Sequence, residues 1–262
     1  MSEAQSADGA RVGEMRLFLT ALQYFTRLPM PAWTGHGQAQ LEGVVRYFPA
    51  VGWLVGGVAA GVLWLAALVF PAPLPALLST AAGMWMTGAF HEDGLADTFD
   101  GLGGSAIRER SLEIMKDSRV GTFGVLALGM TVLIKVAALN AMPVMSACAA
   151  LLGAHCVSRW CSVVIVWRRA YAGNVQQSRA KPAVRSMTPL QFSIATIIGL
   201  VPAVLCGMAA FAGIALALCT LAWLVRWFTR RLGGYTGDTL GATQQLTEVS
   251  FYLALLVAWK FY

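Results

Sequence analysis

Long apolar stretches recur along this chain: Phe48 to Phe70, Ala72 to Phe90, Val120 to Ala141, Val144 to Trp167 and Leu190 to Phe228. About 20 apolar residues is the length of helix that crosses a hydrocarbon core, and backbone in lipid must satisfy its own polar groups. The break Pro71-Ala-Pro-Leu-Pro75 divides the first two runs, and Pro143 divides the next two. The last run is too long for one crossing. It carries Pro202, Gly207 and Gly213 near its middle, so it reads as a helical hairpin turning near Gly207 to Gly213. Six spans result, and Val249 to Tyr262 is either a seventh span extended upstream or an interfacial helix. The expected fold class is all-α: a polytopic membrane helical bundle with six or seven transmembrane helices and acidic cytoplasmic loops. Residues 1–47 form a cytoplasmic N-terminal segment and residues 48–262 a single transmembrane domain that carries the site.

Composition agrees. With 57% hydrophobic and only 12% charged residues and a mean hydropathy of +0.63, the chain is not an ordinary soluble domain, and it is neither a fibrous nor an unfolded one. No run of Lys or Arg suits nucleic acid. The net charge of +6 is explained by position. Arg11, Arg16, Arg27 and Arg46 precede the first span, and Arg108, Arg110, Lys116 and Arg119 follow the second. Arg168, Arg169, Arg179, Lys181 and Arg185 follow the fourth, and Arg226, Arg230 and Arg231 close the sixth, while the turns at Pro71, Pro143 and Gly207 carry none. Positive charge accumulates in short cytoplasmic loops, so the N-terminus and the loops after spans two, four and six are expected in the cytoplasm. The first 47 residues mix acids, arginines and glycines ahead of the first long apolar run, and no cleavable signal is expected. Within them, Met15 to Met30 suits a helix lying in the cytoplasmic interface or a packing helix. The five cysteines sit in apolar runs without paired spacing and read as core residues, whereas Gly52, Gly56, Gly57 and Gly61 read as small-xxx-small helix packing.

The scarce acids carry the functional signal. More than half of the 13 fall between residues 92 and 117, starting where a span ends, in HEDGLADTFDGLGG. On a helix Asp93, Asp97 and Asp100 lie at i, i+4 and i+7, within about 60° of one another. Such a face repels itself unless a cation occupies it, and Mg²⁺ takes carboxylate oxygens together with substrate phosphates. Glu92 points about 100° away from Asp93 and ranks below the three aspartates. A solvated polar loop is the bland alternative, weakened by the absence of Lys or Arg from His91 to Ile107. Downstream, Glu113 and Asp117 sit at i and i+4 beside Lys116 and Arg119, and a turn at Gly101 to Gly104 would fold this second helix back beside the first. Asp117 would then complete an ion shell and Lys116 and Arg119 would hold phosphate oxygens, while Glu109, Arg110 and Glu113 read as a surface ladder. A third polar island, RRLGGYTGDTLGATQQLTE, contains Asp238 and Glu248 and a glycine-rich backbone able to approach an anion. Two cations lie within spans, Lys135 and Arg159, and either reaches a diphosphate or pairs with an aspartate. His155 reads as a hydrogen-bonded helix residue, and His36 lies in a loop.

Three segments, HEDGLADTFDG at 91–101, ERSLEIMKDSRVGTFG at 109–124 and GGYTGDTLGATQQLTE at 233–248, resemble the cobalamin synthase family, the adenosylcobinamide-GDP ribazoletransferases, and the hydrophobic layout agrees from about Arg16 onward. The resemblance implies an inner-membrane enzyme that joins adenosylcobinamide-GDP to α-ribazole or its 5′-phosphate with Mg²⁺ and releases GMP. Its motif maps onto His91, Asp93, Gly94, Asp97 and Asp100, then Asp117 and Arg119, then Gly237, Asp238 and Thr239. Glu92 occupies a freer position, and Gln245 is given no role. In that chemistry Asp93, Asp97 and Asp100 hold one or two Mg²⁺ ions with help from Asp117, the catalytic set. His91, Lys116, Arg119, Arg159, Lys135, Asp238 and Thr239 line the substrates, and Asp100 or Asp238 accepts the hydroxyl proton. Asp93-x-x-x-Asp97 also superficially fits a CDP-alcohol phosphotransferase or a prenyl transferase, but neither second cluster is present. A cation-coupled transporter would want ionisable groups near the bilayer midplane, whereas the acids appear at span ends.

Overall fold

The computed structural model describes residues 13–35, 43–173 and 187–261. Arg11, His36, Arg179, Lys181 and Arg185, named above, lie outside them. Ten α-helices occupy most of the described chain: α1 Glu14–Phe25, α2 Phe48–Ala67, α3 Leu74–Thr87, α4 Phe90–Gly104, α5 Arg108–Ile114, α6 Thr122–Asn140, α7 Val144–Arg168, α8 Pro189–Leu200, α9 Ala209–Leu232 and α10 Gly237–Phe261. Among the described residues there is no strand, and one isolated bridge pairs Tyr171 with Tyr235. The chain is all-α, as expected.

Five segments are long and apolar enough to cross a membrane: Val44–Ala67, Thr122–Asn140, Val144–Arg168, Pro189–Cys206 and Ala209–Leu232. The hairpin turns at Gly207, whose φ of 60° suits glycine, and Pro202 sits in a 3₁₀ turn that ends the first arm. The second expected span is shorter than its apolar run. At 14 residues α3 covers about 21 Å, and it stops where Gly88 adopts a left-handed cap that lets the Ala89 N–H donate to the Met84 carbonyl at 2.8 Å. The last helix begins twelve residues before Val249, at Gly237. It is long enough to cross, but its first half is too polar to count as an apolar span.

The centre of the bundle is α7, with 83% of its spanning window buried against 28 to 44% for the other four. Small residues bring its neighbours in. Gly52 of α2 packs against the His155 carbonyl, and a Cβ on Gly56 would stand 3.0 Å from the Leu151 carbonyl, so both glycines admit the α7 backbone. Gly57 and Gly61 of the expected packing stripe meet no backbone, Gly57 reaching only the Leu152 side chain and Gly61 nothing within 4 Å. The helix expected near the N-terminus is α1, which buries Leu17, Thr20, Ala21 and Leu22 and is held at its start by a 2.7 Å ion pair between Glu14 and Arg46. Cys156, Cys161 and Cys206 are buried, Cys148 is half-buried and Cys219 is exposed, and all five are free.

Candidate active site

Helix α4 crosses α10 at two glycines. A Cβ on Gly94 would lie 2.9 Å from the Asp238 carbonyl oxygen and 3.3 Å from the Gly241 Cα, and one on Gly241 would lie 3.0 Å from the His91 carbonyl. Backbones this close exclude any side chain at the crossing. The result is that Asp93 and Asp97, on α4, share an edge with Asp238 of α10. Asp93 is exposed and Asp97 and Asp238 are half-buried. The Asp97 carboxyl is pushed up to about 7, first by burial and then by the charges of Asp93, Asp238 and Asp100, and every group acting on it is another acid. Asp238 sits in the first turn of α10, where Thr236 and Thr239 exchange bonds: the Thr236 N–H donates to Thr239 Oγ1 at 2.8 Å and the Thr239 N–H to Thr236 Oγ1 at 3.2 Å. Thr239 is fully buried in this cap.

Asp100, the third aspartate of the face, is turned to another task. Its two carboxylate oxygens accept the N–H groups of Gly121 at 2.7 Å and Gly124 at 2.8 Å, which places a negative charge at the N-terminus of α6. The expected reversal at Gly101 to Gly104 is not there: these residues form the last turn of α4, and the chain turns at Ser105–Ile107. The expected second helix ends at Ile114, so Asp117 lies beyond it. Asp117 holds Arg119 through bonds of 2.6 to 3.1 Å and that guanidinium keeps its carboxyl down at about 2. The groups acting on Asp117 are arginines, not the acids of α4. Lys116 and Arg119 are exposed, and Arg110 and Glu113 form the surface pair expected of them, at 2.9 Å.

Besides Asp100, the buried acids among the described residues are the two glutamates that sequence reasoning left without a role. Glu248 of α10 is 2% exposed and receives Lys135 of α6 at 3.0 Å, Gln244 at 2.6 Å and the Tyr252 hydroxyl at 3.1 Å. Gln245 bridges onward, donating to Glu92 Oε1 at 2.9 Å while accepting from Lys135 at 2.6 Å. Arg159, 1% exposed, donates to the His155 carbonyl at 2.9 Å and faces its Nδ1 at 3.0 Å. Lys135 and Arg159 are thus turned into the bundle, and the partner of Lys135 is a glutamate where an aspartate was expected. These groups line a narrow cavity with about 20 Å³ of room for water-sized occupants, and among its lining residues His91 Nε2, Glu92 Oε2 and Arg159 Nε are buried without a partner. The expectation that acids lie only at span ends is corrected here. A signal for this set was present: Gln244, Glu248 and Tyr252 recur at i, i+4 and i+8, which puts them on one face of the last helix.

Whether the aspartate edge suits Mg²⁺ follows from its donor set. Among the described residues no three His, Cys, Asp or Glu side chains already converge on one point as a complete protein cage. Mg²⁺ does not ask for one, because it is commonly held by one or two carboxylates with waters and substrate phosphates. Three hard carboxylate donors, two of which raise the proton affinity of Asp97 between them with no cation to relieve it, fit such an ion.

A profile of the cobalamin-5-phosphate synthase family matches residues 17–256. Curated relatives named adenosylcobinamide-GDP ribazoletransferase include one from Leptothrix cholodnii, 47% identical over 256 residues that cover 94% of this chain and 97% of the relative. Relatives of the same name from Shewanella amazonensis, at 42% identity with 94% and 97% covered, and Polaromonas naphthalenivorans, at 40% with 93% and 98% covered, agree. No solved structure matches. Two of the three segments that carry the resemblance in the sequence, 91–101 and 233–248, build the α4–α10 crossing, and over nearly its whole length this chain belongs to the cobalamin-5-phosphate synthase family.

Proposed function

We propose that this protein is the Mg²⁺-dependent transferase that joins adenosylcobinamide-GDP to α-ribazole or its 5′-phosphate, releasing GMP, in assembly of the cobalamin nucleotide loop. The observation that carries the reading is the shared edge of Asp93, Asp97 and Asp238 where Gly94 meets Gly241. The ribazole hydroxyl attacks the phosphorus bonded to the cobinamide oxygen, the bond from that phosphorus to the GMP oxygen breaks in line, and the hydroxyl proton leaves to a carboxylate. Asp93 and Asp97 would hold the ion. When bound, Mg²⁺ supplies charge neutralisation at the diphosphate. Asp238 beside them, its proton affinity raised chiefly by burial, takes the proton. Asp100 acts by holding the N-terminus of α6 against this helix, a positioning role.

The ends of the spans support a cytoplasmic site in the inner membrane. The starts of α2, α6 and α10 and the ends of α7 and α9 share the face that carries Arg46, Arg119, Arg168, Arg169, Arg230 and Arg231. The direct test is GMP release from adenosylcobinamide-GDP by the full chain in membranes. Asp93→Asn and Asp97→Asn should each lower it by about 100-fold or more, and chelation should act likewise. Near-normal turnover in both variants would refute the metal assignment.

A further inference from the structure

Beside the aspartate edge lies a second cavity, narrow and almost wholly apolar. It is walled by the rings of Phe25, Phe48 and Phe90 with Val163 and Val166 of α7, and its floor is Gly237, Leu240 and Gly241 at the start of α10. Phe25 and Phe48 are stacked at 4.3 Å. Besides Tyr24, two polar side chains reach the lining. Ser162 donates its hydroxyl to the Leu240 carbonyl at 3.1 Å, leaving oxygen lone pairs to accept. His91 is 3% exposed, and its Nε2 is buried without a partner.

We infer that this slot receives the bicyclic aromatic base of the ribazole substrate, with His91 as the hydrogen-bond donor to its ring nitrogen. This rests on the function proposed above and names a subsite of that same site. A dimethylated benzimidazole is flat and apolar along its edge, with nitrogen as its only polar atom. Such a base needs stacked rings and aliphatic walls, together with one orphaned hydrogen-bonding group, to be held without loss. Position decides the rest. His91 and Phe90 are on the turn of α4 that precedes Asp93, and Gly237 precedes Asp238, so a base seated here carries its ribose toward the three carboxylates. Helix α1, given no chemistry by its sequence, supplies Tyr24 and Phe25 to the slot and so closes one wall of the site.

The test uses the purified full chain in liposomes, with α-ribazole and an analogue whose base carries one additional fused ring. Phe25→Ala should shift the kcat/KM preference toward the larger base by about 10-fold or more, a gain that misfolding does not produce. Val166→Phe should raise the KM for ribazole about 10-fold while that for adenosylcobinamide-GDP stays within about twofold. An unchanged preference in Phe25→Ala, or a Val166→Phe effect that falls on the cobinamide substrate, overturns the assignment while leaving the proposed reaction standing. If Val166→Phe is inactive, equilibrium dialysis of labelled ribazole decides, and wild-type affinity overturns the assignment. A co-purified lipid that ribazole fails to displace, shown by native mass spectrometry, also overturns it. A wild-type chain that releases GMP without requiring ribazole refutes the reaction itself, and the subsite with it.

Discussion

Asp97 concentrates the chemistry of the edge in one carboxyl. Its proton affinity is raised from the usual carboxylate range to about 7, so between about pH 4 and pH 7 the folded state binds a proton that the unfolded state has released. Stability therefore falls as pH rises through that window, and the charged, unrelieved edge is least favourable above pH 7. Asp97→Asn should raise the thermal midpoint of the metal-free protein in detergent at pH 8 and leave it unchanged near pH 4. Mg²⁺ should stabilise the wild type at pH 8 and the variant much less, and equal stabilisation of both would count against Asp97 as a ligand. A different balance governs Lys135 and Glu248, which are taken out of water together. Removing one member of a buried pair leaves an uncompensated charge, so Lys135→Met should cost about 3 kcal/mol in a reversible unfolding assay. Lys135→Met combined with Glu248→Gln should cost less than the sum, by about 1 kcal/mol or more. Strict additivity would show that the two side chains are not coupled. Asp93 and Asp97 were legible because their spacing and the want of nearby cations are visible along the chain. The surroundings of Glu92 were not legible because an angle of about 100° on one helix says which face a residue takes, not what lies opposite. Here the opposite side is the buried Gln245 of α10.

The crossing of α4 and α10 is where two elements become one site. A Cβ on Gly94 would stand 2.9 Å from the carbonyl and 3.0 Å from the Cα of Asp238, and neither backbone atom can rotate aside. Gly94→Ala should therefore push the helices apart, at a packing cost of about 1 to 3 kcal/mol, and should depress GMP release far more than the fall in stability explains. Comparing kcat with the thermal midpoint of the same preparation checks this, and a variant with full turnover would show that the carboxylates need no such approach. The spans of α2, α6, α7 and α9 were readable in advance to within a few residues, because apolar length is itself the physical cause of crossing. The bend between α3 and α4 was not. It depends on a left-handed cap at Gly88 that sits against Arg27, whose Nε would be 2.5 Å from a Cβ there, and that contact joins residues far apart in sequence. The helix expected to carry Asp117 also ended early. The i, i+4 pattern continued past Ile114, while the backbone left the helix.

At the scale of the whole molecule, polar function is layered. Arginines mark one face, the aspartate edge and the aromatic slot lie just inside it, and the glutamate–lysine–arginine set is sealed deeper among α4, α6, α7 and α10. Reporter fusions at Pro73 and Pro143 should report the outside of the cytoplasm and those at Gly233 the inside, and the reverse pattern would place the site on the wrong side for nucleotide substrates. The amino-acid order by itself determined the helical class, the main crossings, their charge asymmetry and the family resemblance, since hydrophobic length, loop charge and contiguous motifs are one-dimensional quantities. Only the tertiary structure decided which acids share a site. Asp238 is brought to Asp97 by a glycine crossing, Asp100 is diverted to the amides of α6, and Glu248 is buried against Lys135. Each of those outcomes is set by how close two backbones from distant parts of the chain can approach, a property that no single helix possesses.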